Sequence, residues 1–177
     1  TGVTAVLPKG STMTAAKVTD TAAITGLTGD WVAYDISING GTYNGRVVGG
    51  STCDDYNENI VVDRTNVVIT AGTFKQEVYG GGNAASTVMA GSSLTISGGT
   101  FNSNGATGGV YGGNAHGFVT GNASVAVTGT DTVSITGPVV GGNNASSPSG
   151  RAANYIGGNA SVIIGNAHAV IAGNVAG

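Results

Sequence analysis

The sequence is poor in charge and in cysteine, and each shortage excludes a class of protein. Charged residues make up 8% of the 177 residues, whereas ordinary globular proteins carry about 25%. Six Lys and Arg and a net charge of −3 provide no basic face for nucleic acid or anionic lipid. Cys53 is the one cysteine in the sequence, so an internal disulfide is excluded.

Long apolar runs are also missing, and this excludes a spanning helix. No stretch approaches the roughly 18 consecutive apolar residues that such a helix needs, so we predict no membrane-spanning segment. The 33 glycines have no three-residue period, which excludes collagen. Glycine costs about 1 kcal/mol at each helical position, so helix is disfavoured as well. The length suits one domain.

A short motif recurs in this chain: an alternating aliphatic stretch, then glycine, threonine and an aromatic residue. Copies begin at Ile36, Val67 and Leu94, and a shortened copy begins at Val133. The second aliphatic residue of each copy stands at position 38, 69, 96 or 135, so the steps are 31, 27 and 39 residues. Steps of roughly 20 to 50 residues are typical of stacked repeats.

The alternation inside each copy predicts half-buried strands, and the glycine pairs predict the turns between them. Three short strands and three corners would complete one coil. We therefore predict an all-β fold, a right-handed parallel β-helix (β-solenoid) with triangular coils, since parallel crossovers are nearly always right-handed. The solenoid repeats are assigned to 36–177. Residues 1–35 are predicted to form less regular strands at 3–7, 22–27 and 31–34, which act as a cap or an assembly segment.

Stacking predicts that equivalent residues form columns along the solenoid. The predicted columns are an aliphatic one, an aromatic one, a mixed one and an asparagine ladder: Ile38, Ile69, Ile96 and Ile135; Tyr43, Phe74 and Phe101; Val48, Tyr79, Tyr111 and Val140; Asn83, Asn114, Asn143 and Asn159. Insertions at 51–59 and 144–154 are expected at corners.

The segments Ile96-Ser97-Gly98-Gly99-Thr100-Phe101 and Val110-Tyr111-Gly112-Gly113-Asn114 carry a family resemblance. They resemble the repeats of secreted bacterial β-helix proteins, particularly autotransporter-type passenger regions and related surface adhesins. The likeness extends over roughly 35–177. It implies an extracellular or bacterial cell-surface location. The chain begins at Thr1 without an evident leader sequence, so we expect a processed chain or a fragment.

Few residues are candidates for chemistry, and each has a simpler interpretation. Asp54, Asp55, Glu58 and Asp63 form an acidic cluster, which is either a solvated loop, the reading we favour, or a calcium site.

His116 and His168 both follow Asn-Ala, and we interpret them as surface histidines in preference to zinc ligands. Cys53 is either inert, as we favour, or an intermolecular link. Thr42, Thr73 and Thr100 form a single file, where an ice-binding face would have two. We predict no enzyme activity, assign no catalytic, cofactor-binding or metal-binding residues, and expect no cofactor.

The remaining expectation concerns assembly. Beyond Arg151 the sequence has no charged residue and no proline, the residues that normally protect an exposed strand edge. We therefore predict a non-enzymatic extracellular structural protein that assembles end to end, as a homo-oligomer or homopolymer, into a surface fibre or filament. The alternative is a monomeric adhesin passenger that binds a host or polysaccharide surface through its inserted loops.

Overall fold

The computed structural model describes residues 12–18, 31–50, 52–53, 60–84, 86–101, 109–144 and 155–177. Every regular element within these ranges is a β-strand. The strands, in chain order, are β1 Thr12–Val18, β2 Trp31–Tyr43, β3 Val47–Val48, β4 Thr52–Cys53, β5 Ile60–Phe74, β6 Val78–Tyr79, β7 Asn83–Ala84, β8 Ser86–Ile96, β9 Gly99–Phe101, β10 Val110–Tyr111, β11 Gly117–Val119, β12 Asn122–Val127, β13 Val133–Ile135, β14 Val139–Val140, β15 Tyr155–Ile156, β16 Ala160–Ile164, β17 Ala169–Ile171 and β18 Val175–Ala176.

The strands form three sheets, of eleven, five and two strands. The five-stranded sheet has the order β18-β14-β10-β6-β3, so chain segments one turn apart lie side by side. All described pairs are parallel except β1 with β2. The predicted all-β fold is thereby confirmed, and the mostly parallel sheets are compatible with a β-solenoid.

We call each successive turn of the chain a rung. The rungs comprise β2–β4, β5–β7, β8–β10, β11–β14 and β15–β18, with the first named the first rung and the fifth named the last rung. The predicted strand at 31–34 is confirmed as the start of β2, whereas 3–7 and 22–27 lie outside the described residues. Strand β1, which the sequence pattern did not predict, pairs antiparallel with the first rung.

Two of the predicted columns are confirmed. The rings of Tyr43, Phe74 and Phe101 are stacked, with centroids 4.8 and 4.7 Å apart and planes within 8°. The mixed column is confirmed by the pairing of β3, β6, β10 and β14, in which the rings of Tyr79 and Tyr111 stack at 5.0 Å.

The aliphatic column is right for Ile38, Ile69 and Ile96 but wrong for Ile135. Val127 pairs with Ile96, and Ile135 instead pairs with Phe101 in the aromatic column. In the fourth rung, β12 continues the aliphatic column and β13 continues the aromatic column, and both strands have the same alternation. The two strands therefore look alike in sequence while they occupy different walls of the coil.

The interior is divided into separate hydrophobic clusters. The main cluster runs through the aliphatic and aromatic columns, where Ile38, Ile69 and Ile96 have no exposed surface. A second cluster contains Val62, Val88, Val119 and Ala123.

A glycine column separates these two clusters, and we call it the waist: Gly49, Gly80, Gly112 and Gly141. A Cβ on Gly112 would lie 2.6 Å from the carbonyl carbon of Ser124, so a side chain there would collide with the opposite wall. Ser124 stands between Ala123, which belongs to the second cluster, and Val125, which belongs to the main cluster. Two walls therefore meet backbone to backbone, and Ser92 Oγ donates a 2.6 Å hydrogen bond to Gly112 O across the waist.

Candidate assembly surface

Among the residues whose side-chain burial the structure describes (34–50, 62–83, 86–101, 109–144 and 155–177), the exposed large hydrophobic side chains all lie on the last rung. They are Tyr155, Ile163, Ile164, Val170 and Val175, with 45 to 63% of their surface exposed. Exposed apolar patches of this kind mark interaction sites more often than isolated exposed residues do. We call these five residues the last-rung patch.

Part of the patch results from the position of the rung at one side of the stack. Ile164 continues the aliphatic column through Val127 and Ile96, both fully buried, yet it is 45% exposed. Val175 likewise pairs with buried Val139 and is 51% exposed. Among the described residues, these inward residues pair with a neighbouring rung on one side only.

Two other patch residues point outward, and in the third and fourth rungs their columns hold small or hydroxylated residues. Ile163 pairs with Ala126, which pairs with Thr95. Val170 pairs with Ser134, the continuation of the threonine file. The last rung thus carries branched apolar residues at outward positions where the two rungs before it carry alanine, serine or threonine, although the column of Ile163 also contains Val68 in the second rung.

The first rung, on the opposite side of the stack, is more buried than the last rung at equivalent positions. Ile36 and Ile38 of the first rung are 5% and 0% exposed, although they hold the same columns as Val162 and Ile164 of the last rung. Strand β1 pairs with Trp31–Ser37, so the backbone edge of that part of β2 is occupied.

The first and last rungs also differ in their charged residues. Asp35 of the first rung accepts hydrogen bonds from both terminal nitrogens of Arg64, at 2.8 and 2.9 Å. The hydrogen bond from Arg64 holds the pKa of Asp35 below its usual value, against the opposing effect of burial. The last rung, residues 155–177, contains no charged side chain.

The asparagine ladder exists, but with fewer members than predicted. The N–H of Gly82 donates to Asn114 Oδ1 at 2.6 Å, and the N–H of Asn114 donates to Asn143 Oδ1 at 2.7 Å. Asn114 Nδ2 also donates to the carbonyls of Ser86 and Phe118, each at 3.0 Å. The asparagine side chains therefore bind backbone groups, in place of the expected hydrogen bonds between one amide side chain and the next.

Two predicted ladder members belong elsewhere. The extra glycine at position 82 moves Asn83 one residue further, so Asn83 pairs with Thr52. Asn159 lies at another corner, where its N–H donates to Asn122 Oδ1 at 2.9 Å. Sequence analysis missed Asn122, whose Gly-Asn-Ala-Ser context is identical to that of Asn159.

The two histidines are not brought to equivalent positions. His116 follows Asn114 of the ladder, whereas His168 follows Asn166, whose Nδ2 donates to Thr128 O and Asp131 O at a different corner. Burial, with a smaller contribution from the charge of Arg46, lowers the pKa of His116. Its Nδ1 is buried and finds no hydrogen-bond partner within the described ranges.

Where the structure describes the other singled-out residues, they form no assembled site. Cys53 ends β4 and pairs with Ala84, so its backbone is in a strand where a polar loop was predicted. Asp63 is half-buried in β5, and Asp54, Asp55 and Glu58 lie outside the described residues. Thr42, Thr73 and Thr100 do form one column.

Several polar side chains lie near the stacked rings of Tyr79 and Tyr111. Arg46 Nε donates to Glu77 Oε2 at 3.0 Å, and Asn144 Nδ2 donates to the Tyr79 hydroxyl at 3.0 Å. Burial raises the pKa of Tyr79 to about 12. Each of these contacts has a stabilising role, because it satisfies a buried or half-buried polar group.

Within the described ranges, no three His, Cys, Asp or Glu side chains come together as metal ligands. Those ranges also contain no helix of the length and apolarity that crossing a membrane requires. Comparisons with protein-family models, with curated proteins and with solved structures found no match.

Proposed function

We propose that this chain is a non-enzymatic extracellular structural protein, a right-handed parallel β-helix that assembles end to end as the building block of a surface fibre. The observation that supports it is the last-rung patch, which contains the exposed large hydrophobic residues found among the side chains whose burial the structure describes. An uncovered rung also presents unpaired backbone N–H and C=O groups, which are a template for another strand.

The outward residues strengthen this proposal. An end rung that only faced water would gain nothing from Ile163 and Val170, since polar residues are preferred on a solvated face. Both side chains are more than half exposed, at 59% and 63%. Burying such β-branched side chains against a partner contributes roughly 1.5 to 3 kcal/mol for each fully covered residue.

The test is sedimentation combined with electron microscopy at micromolar concentrations. We expect the unmodified protein to associate, and Ile163→Lys with Val170→Lys to shift it to monomer, because lysine is the residue that proteins use to block strand edges. The matched control is Ala126→Lys with Ser134→Lys, which alters the paired outward positions one rung away and should leave association unchanged.

A strictly monomeric unmodified protein would contradict the proposal. The alternative, a monomeric surface adhesin that binds a host or polysaccharide surface through its inserted loops, would then be the better account.

A further inference from the structure

We propose that the bend at Asn44–Gly45 is a site of spontaneous covalent modification, at which the asparagine side chain cyclises onto the next backbone nitrogen and is then hydrolysed by water. The site is independent of the proposed assembly. Asn–Gly pairs occur in the sequence at 39–40, 44–45 and 104–105, and the first two lie within the described residues. The surroundings of these two pairs differ, and the difference selects Asn44.

The reaction joins two groups of one dipeptide. The Gly45 nitrogen gives its proton to hydroxide and attacks Asn44 Cγ, and the new N–Cγ bond closes a five-membered succinimide ring. The bond from Cγ to the side-chain nitrogen breaks, and ammonia leaves with a proton taken from water. Water then opens the ring at either carbonyl, which gives aspartate or isoaspartate. Glycine favours the attack because it has no Cβ to crowd the nitrogen.

Asn39 is protected by its strand. It lies inside β2, where it pairs with Ala71 of β5. A succinimide ring holds the bond between Cα and the carbonyl carbon of the asparagine outside the extended conformation of a strand, so the strand must open before Asn39 can react. Because Asn39 is exposed, burial does not supply this protection.

Asn44 and Gly45 lie in the bend between β2 and β3, and both are exposed. Backbone hydrogen bonds hold the chain on either side of this pair. The N–H of Lys75 donates to Tyr43 O at 2.9 Å, and the N–H of Val47 donates to Glu77 O at 3.1 Å. Within the described part of the chain, the Gly45 N–H donates no hydrogen bond. The reacting nitrogen is therefore free in a bend that is fixed at both ends.

Gln76 restrains the peptide unit that reacts. Its Nε2 donates to Asn44 O at 3.0 Å in an exposed position. The carbonyl of Asn44 and the nitrogen of Gly45 belong to one planar peptide unit, so the rotation that brings this nitrogen to Asn44 Cγ also turns the carbonyl away from Gln76. A hydrogen bond between neutral groups contributes little net free energy. Gln76 is therefore a positioning residue that slows the modification without preventing it.

Peptide mapping by mass spectrometry tests the assignment, after the folded protein has been kept in mildly alkaline buffer. Trypsin cleaves after Lys17 and Arg46, so residues 18–46 form one peptide that contains both asparagines. Fragmentation locates the change, and enzymatic methylation detects isoaspartate. We expect Asn44 to react on the order of tenfold faster than Asn39, since tenfold corresponds to about 1.4 kcal/mol of activation free energy, the size of one lost strand hydrogen bond. In denaturant the two rates should converge, because no strand then holds Asn39.

Two substitutions test the roles of the neighbours. Gly45→Ala should slow the reaction at Asn44 severalfold, and its methyl group would meet no other atom within 4 Å, so the fold is retained. Gln76→Ala should accelerate the reaction about two- to fivefold, as the loss of one weak hydrogen bond predicts. Lys75→Ala, at the exposed position next to Gln76, is the matched control and should leave the rate unchanged.

Equal rates at Asn39 and Asn44 in the folded protein, or an Asn44 that stays unmodified, would overturn the proposed site. A rate that Gln76→Ala leaves unchanged would overturn the role of Gln76. None of these results depends on whether the chain associates, so they leave the test of the proposed function separate.

Discussion

The first and last rungs hold the same columns in opposite surroundings. Ile38 is fully buried in the first rung, whereas Ile164 at the equivalent position of the last rung is 45% exposed. The first rung carries an antiparallel strand and an Asp35–Arg64 ion pair. The last rung carries neither charge nor, within the described residues, a further strand on its outer edge.

This difference shows that the two end rungs of a stacked fold can differ even though the repeat motif is the same in both. Interior rungs tolerate the same residues because each one has neighbours on both sides. An end rung must either be covered or be adapted to a partner. Here β1 covers part of the first rung, whereas the last rung leaves large apolar side chains exposed.

The largest expected effect comes from placing a carboxylate at each end of the aliphatic column. We expect Ile38→Asp to lower the free energy of unfolding by about 4 kcal/mol, because an unpaired charge would be buried there. Ile164→Asp should cost less than about 1 kcal/mol, since its side chain reaches water. Denaturant unfolding of dilute protein measures both, and equal losses would show that the two ends are not different.

An intermediate effect is expected at the corners. Asn114→Ala removes the acceptor for Gly82 N–H and the donor for two carbonyls in a site without solvent exposure. Buried groups left without partners cost about 1 to 3 kcal/mol. Asn159→Ala in the exposed last rung keeps its backbone bond to Asn122 and should cost under about 0.5 kcal/mol. Thermal unfolding of the two variants measures the difference. A larger loss of stability for Asn159→Ala than for Asn114→Ala would contradict the prediction.

The smallest effect concerns the ion pair of the first rung. Exposed pairs contribute about 0.2 to 1 kcal/mol, so Asp35→Asn should lower stability slightly at pH 7 and less at high salt. Because Arg64 lowers the pKa of Asp35, this contribution is present above 3.8, the ordinary value, and is lost as pH falls through the lower folded value.

A double-mutant cycle with Arg64→Gln, at pH 7 and again in acid, isolates the pair. A coupling free energy that grew on acidification would contradict the assignment.

The sequence predicted the strands well where the residue type of a column is distinctive. An aromatic stack needs flat rings at each level, and Tyr43, Phe74 and Phe101 supply them. The column of Ile135 was misassigned because alternation with period two is the same on every wall. Only the pairing with Phe101 shows which wall it occupies.

Other features left no local signal. Strand β1 pairs antiparallel, although nothing in Thr12–Val18 resembles the repeat. The last-rung patch was anticipated only as an uncharged segment. The outward position of Ile163 and Val170 depends on register, which the sequence pattern alone does not specify when insertions change the step between rungs.

The glycine waist has a consequence for engineering. Because the walls touch through backbone at Gly80, Gly112 and Gly141, the spacing between them does not depend on the side chains on either side. The glycine column lies between the two hydrophobic clusters, so substitutions at residues of the two clusters that are far apart should be close to additive. A designer can therefore enlarge or empty the compartment lined by Val62, Val88 and Val119 to accept a guest molecule, while the other compartment continues to hold the column together.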